Sequence, residues 1–283
     1  MRKVNRGLGR TAQVLALMGV VIAAGAGVAL GAVRVNARGV FLAPPGVGSE
    51  PLMQRATPVA VNDSTRVRQL LESARGVNGL VCDLAARTID GRSGWWSGSD
   101  VVAAIGSSGD SASRDVMTWV HHRAVDATAV PVLREALADA DACVRRLAAP
   151  LLGRIHDRSA LQAMLAALAA PEATVREMGA LALGFASDTT SVAPLERRLR
   201  DDASPRVRAT VAWALGEIER PESARVLIDA LRDTDALVRQ SAAHALGEIE
   251  NAIAIPALTE LLKSDRDPEV RRAAAVALGE IIG

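Results

Sequence analysis

A ten-residue motif recurs five times in the second half of this 283-residue chain. Each copy begins with Val-Arg and ends nine residues later in glycine, and the five glycines are separated by 31, 32, 31 and 32 residues. A fixed period of this length is typical of architectures in which stacked units bury a continuous core between neighbours. The copies occupy residues 144–153, 175–184, 207–216, 238–247 and 270–279.

Each repeat is predicted to contain two helices, A and then B. A polar turn precedes every Val-Arg, and a second apolar-periodic stretch, such as residues 224–231, precedes the turn. At 100° per residue, the apolar positions 4, 7, 8 and 11 after the valine cluster on one side of helix B. Asp267, Pro268 and Glu269 have the order expected at a helix start. The repeats therefore predict a stack of helical hairpins.

The pattern Val-Arg-x-x-Ala-x-x-Ala-Leu-Gly-Glu-Ile resembles HEAT-like repeats, in particular the short subtype first named from phycobilisome lyases. The resemblance covers about residues 129–283 and implies an all-α fold, an α-solenoid of helix pairs. Such repeats serve many roles, so the resemblance is specific for the fold and weak for the function. Aromatic residues make up only 2% of the chain, which fits helices packed through small aliphatic side chains.

Before the repeats, the sequence predicts a membrane helix. Residues 1–10 are basic, and residues 11–33 are 23 uncharged, mostly apolar residues. A helix of that length is about 35 Å long and can cross a bilayer. The excess of basic residues before it places the N-terminus inside and the repeats outside the cytoplasm. A cleaved signal peptide with a site at Ala29-Leu30-Gly31, leaving a secreted or periplasmic protein, is the alternative.

The remaining segments complete the predicted organisation. Residues 34–63 are rich in proline and glycine and indicate a linker, and residues 64–128 indicate an atypical helical capping region. Small residues every fourth position from Gly19 to Gly31 allow a homodimer through the membrane helix. An open C-terminal end after the last repeat offers a second route to self-association.

The arginine that follows each motif valine lies at the edge of the predicted buried stripe. Aspartates in the turns between helices A and B are close in sequence. We expect a structural ladder of Arg–Asp contacts that holds successive repeats in register. The five arginines are Arg145, Arg176, Arg208, Arg239 and Arg271.

Partner-binding residues are predicted on the face of helix B that points away from the core. Phe185, Trp213 and His244 interrupt columns of mostly small or charged residues, and Glu217 and Glu248 flank them. Large aromatic side chains on a polar surface are candidate hot spots for a protein partner on the concave face. The alternative is that Trp213 packs against a neighbouring helix.

Motifs for chemistry are missing from the sequence. No phosphate-binding loop, dinucleotide fingerprint, nucleophile elbow or usual metal-ligand spacing occurs, so we expect no catalytic, cofactor or metal site. Residues 129–283 carry 19 basic and 23 acidic residues, which argues against nucleic acid. The predicted function is a non-catalytic protein-interaction scaffold or adaptor at the membrane. The alternative is a lyase-type enzyme or a chromophore-binding HEAT-like protein.

Two cysteines, Cys82 and Cys143, both fall in helix B patterns. Outside the cytoplasm they can form a disulfide between the capping region and the first repeat. Two buried free thiols fit the same pattern, and the sequence leaves both alternatives open.

Overall fold

The computed structural model describes part of the 283-residue chain. The described residues are 35–36, 39–40, 63–77, 79, 82, 85–86 and 125–283. The predicted membrane helix at 11–33 lies outside them, as does most of the predicted linker. The chain divides into two compact units, residues 1–57 and 58–283, which are described separately below.

In the first unit, two two-residue strands lie within the predicted linker. Val35–Asn36 (β1) pairs antiparallel with Gly39–Val40 (β2). In the part of the chain that the structure describes, no helix combines the length and the apolar character needed to span a bilayer.

The described residues of the second unit are mainly helical. Among these described residues the α-helices are α1 (Asp63–Ser73), α2 (Val130–Ala136), α3 (Ala142–Gly153), α4 (Arg158–Leu168), α5 (Ala173–Ala186), α6 (Val192–Asp201), α7 (Pro205–Ile218), α8 (Ala224–Ala230), α9 (Ala236–Ile249), α10 (Ile255–Ser264) and α11 (Pro268–Ile282). Short 3₁₀ turns precede α2, α6, α8 and α10, at Ala127–Ala129, Thr189–Ser191, Pro221–Ser223 and Ala252–Ala254. From α2 onward the helices form five successive A–B pairs, which confirms the predicted α-solenoid.

Aspartate side chains start several of the B helices. Asp141 accepts the backbone N–H groups of Cys143 and Val144 at the start of α3. Asp267 accepts those of Glu269 and Val270 at the start of α11, as the sequence predicts. An aspartate cap of this kind contributes about 1 kcal/mol of helix stability. The polar turn therefore fixes the residue at which helix B begins.

Close contacts between glycine and alanine hold the B helices together along the stack. In the first four motifs, the final glycine faces the alanine seven residues after the valine of the next repeat. A Cβ atom added to Gly216 would lie 2.8 Å from the Cα of Ala245, and one added to Gly247 would lie 3.0 Å from the Cα of Ala277. Only a residue without a side chain permits this approach, because real Cβ atoms do not come that close to a neighbouring backbone.

We expect Gly216→Ala to lower the free energy of unfolding by about 2 kcal/mol, since overpacking a core costs roughly 1–3 kcal/mol. Gly279→Ala is the matched control at the same position of the last repeat, where an added Cβ meets no atom within 4 Å. That variant is expected to gain up to about 1 kcal/mol from helix propensity. Urea unfolding of both variants checks the prediction, and equal effects would contradict the proposed contact.

The described part of the predicted capping region packs against the first repeat. Val67, Leu70 and Leu71 of α1 are buried, and α1 contacts both α2 and α3. Gly76 donates its backbone N–H to a carboxylate oxygen of Asp141 at 3.0 Å. These contacts cover the end of the solenoid that precedes α2.

A disulfide joins Cys82 to Cys143, with 5.6 Å between their Cα atoms. The sequence leaves open a disulfide or two buried free thiols, and the structure contains the disulfide. Cys143 lies in the first turn of α3, so the bridge links the capping region covalently to helix B of the first repeat.

Candidate functional site

Four of the five predicted partner-binding residues line one cleft between α7 and α9. The cleft has a volume of about 190 Å³. Trp213 and Glu217 contribute from α7, and His244 and Glu248 contribute from α9. The structure thus brings together equivalent side chains that lie 31 positions apart in sequence, Trp213 with His244 and Glu217 with Glu248, because successive B helices stack side by side.

Phe185, the fifth predicted residue, lies on α5 and supports the cleft from outside. Its ring contacts the indole of Trp213 edge to face, with 5.2 Å between ring centroids and 62° between planes. The indole also lies over Gly184 of the preceding B helix. Trp213 therefore packs against a neighbouring helix, as the alternative interpretation predicts, and also lines the cleft. Its role in partner binding stays a prediction.

Small residues form the remaining lining of the cleft. Gly216, Ser241 and Ala245 lie between the larger side chains, and Ala245 is in close contact with Gly216. Among the described residues that line this cleft there is neither arginine nor lysine, whereas two are glutamates. The result is a small, acidic recess with one aromatic wall.

Within each repeat, the arginine of the predicted ladder forms the same hydrogen bonds to the backbone. All five arginines donate Nη1 to two carbonyl groups in the turn that precedes their own helix B. Arg208, for example, donates to the carbonyl of Asp202 at 2.9 Å. The turn thus fixes the orientation of each guanidinium group.

Between repeats, three of these arginines also form paired hydrogen bonds to an aspartate of the next repeat. We call such an Arg–Asp pair a rung. In each rung Nε and Nη2 donate to the two carboxylate oxygens, at distances from 2.7 to 2.9 Å. The rungs are Arg176–Asp202, Arg208–Asp233 and Arg239–Asp265.

Burial and hydrogen bonding act in opposite directions on the rung carboxylates. Burial raises the pKa of Asp202 and Asp233, but the arginine and a backbone N–H together hold each pKa below its ordinary value. In Asp265 the hydrogen bond from Arg239 is the largest influence and lowers the pKa. The rung aspartates therefore stay ionised at neutral pH.

The ladder differs from the prediction at both ends of the five-arginine series. Arg145 and Arg271 donate to turn carbonyls, but neither forms a rung among the described residues. Ala170 stands where the other repeats have the rung aspartate. One rung was not predicted: Arg75 donates Nη1 and Nη2 to Asp139 at 2.8 and 2.7 Å. Arg75 follows α1 and does not belong to a copy of the Val-Arg motif, so the repeat pattern did not indicate this pair.

A larger groove, which the sequence did not predict, lies between α8 and α10. It has a volume of about 570 Å³ and includes the Arg239–Asp265 rung in its lining. Apolar side chains of both A helices alternate there with charged ones, such as Arg232 and Glu260. Its charged residues include the ladder itself, so we assign this groove to the packing of the repeats.

Among the described residues, no group of three or more His, Cys, Asp or Glu side chains is arranged to hold a metal ion. His121 and His122 lie outside the described residues. The described residues form a stacked helical surface with a cleft. The buried ion pairs of the rungs join successive repeats.

Stacked A–B hairpins joined by B-helix contacts define an α-solenoid repeat protein. The family of HEAT repeats matches residues 130–210 and 192–279, which together span just over half of the chain. The chain belongs to the HEAT repeat family. The comparison with curated protein sequences finds no match.

Solved structures of repeat proteins are similar to the chain. The complex of CpcE and CpcF of phycocyanin lyase from Nostoc sp. PCC7120 is 25% identical, with 67% of this chain and 79% of that chain covered and a TM-score of 0.42. The Cnd3–Cnd2 condensin subcomplex of S. pombe is 20% identical, with 75% and 32% covered and a TM-score of 0.46. A designed armadillo repeat protein in complex with the peptide (KR)4 is 19% identical, with 76% and 99% covered and a TM-score of 0.42.

Proposed function

We propose that this protein is a non-catalytic scaffold that binds a protein partner on the B-helix face of its solenoid. The cleft between α7 and α9 carries the proposal, because it combines an aromatic wall with hydrogen-bonding side chains. A half-buried tryptophan that lines a recess is typical of residues that dominate binding energy. The surrounding helices are held in register by rungs, so the surface is formed before a partner arrives.

The charges around the cleft indicate which partner segment fits. Glu217 and Glu248 line the same cleft as Trp213, and a cation over an indole face is also favourable. A segment that presents lysine or arginine side chains is therefore favoured over an acidic one. The excess of acidic residues in the repeats disfavours nucleic acid.

The site of action proposed for the scaffold is the outer side of a membrane. Residues 11–33 are long and apolar enough to serve as a single anchor, and the basic residues before them favour an internal N-terminus. A disulfide in the described structure fits an oxidising compartment. Self-association through the membrane helix or the last repeat stays a prediction.

We expect Trp213→Ala to weaken partner binding by about 30-fold, because truncating a hot-spot residue costs about 2 kcal/mol or more. Affinity capture with the full-length protein, followed by mass spectrometry and titration of the captured partner, measures the effect. His244→Ala tests the opposite wall, where the side chain is exposed. Ile253→Ala is the control, because it removes a half-exposed apolar side chain outside the cleft.

Unchanged binding by the folded Trp213→Ala and His244→Ala variants would contradict the proposed face. A chromophore or a stoichiometric metal that stays with the purified protein would contradict the non-catalytic role and favour the lyase alternative. Circular dichroism confirms that each variant remains helical, so a loss of binding is not confused with unfolding.

For membrane placement, we expect alkaline phosphatase fused after residue 283 to be active in cells, because that reporter folds only outside the cytoplasm. Intact-mass measurement of the membrane-extracted protein then separates an anchor from a cleaved signal. Retention of residues 1–33 supports the anchor, and a mature N-terminus near residue 32 supports cleavage. An inactive fusion would overturn the proposed orientation.

A further inference from the structure

Arg145 lies between the Arg75–Asp139 and Arg176–Asp202 rungs, and among the described residues only its Nη1 donates hydrogen bonds. Arg145 donates Nη1 to the carbonyls of Asp139 and Ala140, as its counterparts do in their own turns. In the three rungs described above, Nε and Nη2 then donate to an aspartate of the next repeat. The next repeat has Ala170 at that position, and Nε and Nη2 of Arg145 have no acceptor among the described residues.

Comparison with the complete rungs adds a third donor at the equivalent position. In the complete rungs the aspartate also accepts the backbone N–H two residues later, as Asp202 does from Ser204 at 3.0 Å and Asp233 from Asp235 at 2.9 Å. The corresponding N–H next to Ala170 belongs to Glu172, the residue before α5. That turn therefore retains the donors of a rung and lacks only the carboxylate.

The gap is reachable from solvent. Arg145 and Ala170 are both partly exposed, and Pro171 and Glu172 beside them are exposed. Nearby acids do not fill the gap: Asp139 is paired with Arg75, and Glu172 has no ion pair among the described residues. A planar carboxylate matches two parallel guanidinium N–H groups better than a spherical anion does.

We propose that this gap binds an aspartate or glutamate side chain of a partner protein, which completes the rung between the first and second repeats. The donors are Nε and Nη2 of Arg145 and the backbone N–H of Glu172. The inference rests on the proposed function in one respect, that the carboxylate comes from the partner protein. Binding at the site itself is measured with free acetate as the probe.

The first experiment measures the thermal unfolding of the full-length protein in acetate and in chloride at equal ionic strength. All proteins carry Arg271→Gln, because Arg271 of the last repeat also has no carboxylate partner among the described residues and could bind acetate. We expect 0.2 M acetate to raise the unfolding temperature by about 1–2 °C more than chloride. Ala170→Asp fills the gap from within the chain and is expected to abolish this difference, as is Arg145→Gln.

Ala169→Asp is the matched control, because it adds the same charge one residue away from the rung position. It is expected to keep the acetate response. Glu172→Gln removes the nearest competing carboxylate and is expected to strengthen that response. The carboxylate site would be overturned if the Arg271→Gln protein with no further change showed no acetate response. An equal acetate response in the protein that also carries Ala170→Asp would overturn it as well.

The second experiment measures binding of the partner captured in the affinity experiment. We expect Ala170→Asp to weaken binding about 10-fold, the effect of one charge-assisted hydrogen-bonded pair, and Ala169→Asp to change it little. If Trp213→Ala weakens binding but Ala170→Asp does not, the scaffold function stands and the partner is not the source of the carboxylate. If neither variant weakens binding, the proposed function is wrong. The acetate experiment then still decides whether the carboxylate site exists.

Discussion

Replacing Cys82 and Cys143 together with serine is expected to lower the free energy of unfolding by about 4 kcal/mol, because the bridge restricts the unfolded chain. The two cysteines are 61 positions apart, so the disulfide closes a long loop whose entropy is released when the bond is absent. The loss should appear mainly at the N-terminal end of the solenoid, since each repeat contacts only its neighbours. Capping contacts should open before α5–α11 unfold.

Hydrogen exchange of the full-length protein locates this effect, and urea unfolding gives its size. Dithiothreitol should destabilise the original protein as much as the double substitution does, and it should leave the double variant unchanged. Each single serine variant should match the double variant, because either one breaks the bond. A double variant as stable as the original protein would show that the bridge does not stabilise the cap.

Asp202→Ala is expected to cost about 3 kcal/mol, the lower part of the range for removing one member of a buried ion pair. The Asp202 side chain is 1% exposed and that of Arg176 is 12% exposed, so the substitution leaves a largely desolvated guanidinium charge without its carboxylate partner. The neighbouring Asp201 is exposed, and Asp201→Ala is the matched control, with an expected change within about 0.5 kcal/mol. Guanidinium chloride unfolding measures both.

A second substitution separates pairing from burial. Arg176→Met combined with Asp202→Ala should recover much of the loss, because no buried charge then remains unpaired. If the double variant is no more stable than Asp202→Ala, the cost does not come from the unpaired arginine.

The same rung aspartates make stability depend on acid. Their pKa values are lowered in the folded protein, so their contribution is present above the unfolded value of about 3.9 and is lost as the pH falls through the folded values. Unfolding monitored from pH 7 to pH 2 should show stability falling below about pH 4. A variant with asparagine at the three positions should show a smaller fall.

Periodic features of this fold could be predicted from the sequence. The five repeats, the order of their helices and the cap at Asp267 follow from a pattern repeated in phase. The predicted partner residues lie together for the same reason, because equal positions on stacked B helices become neighbours.

Features without a period could not be predicted in this way. Arg75 pairs with Asp139 through the fold of the cap, which has no repeat to compare with. Helix ends also deviate from local rules: α7 continues past Gly216 to Ile218, and Glu219 adopts the left-handed conformation, with φ of 52°, that glycine usually takes. Gly216 lies inside α7, where it permits the close contact with Ala245 of α9. The helix therefore ends later, with Glu219 as its C-terminal cap.

The order of donor and acceptor in the rungs has a consequence for biosynthesis. In every B-helix rung the arginine precedes its aspartate by 25 or 26 residues. As the chain emerges, each completed repeat therefore presents an arginine, whose long side chain keeps its charge in water. The aspartate that becomes buried arrives when its partner is already in place. The array can lengthen one hairpin at a time from its N-terminal end without an unpaired carboxylate being buried.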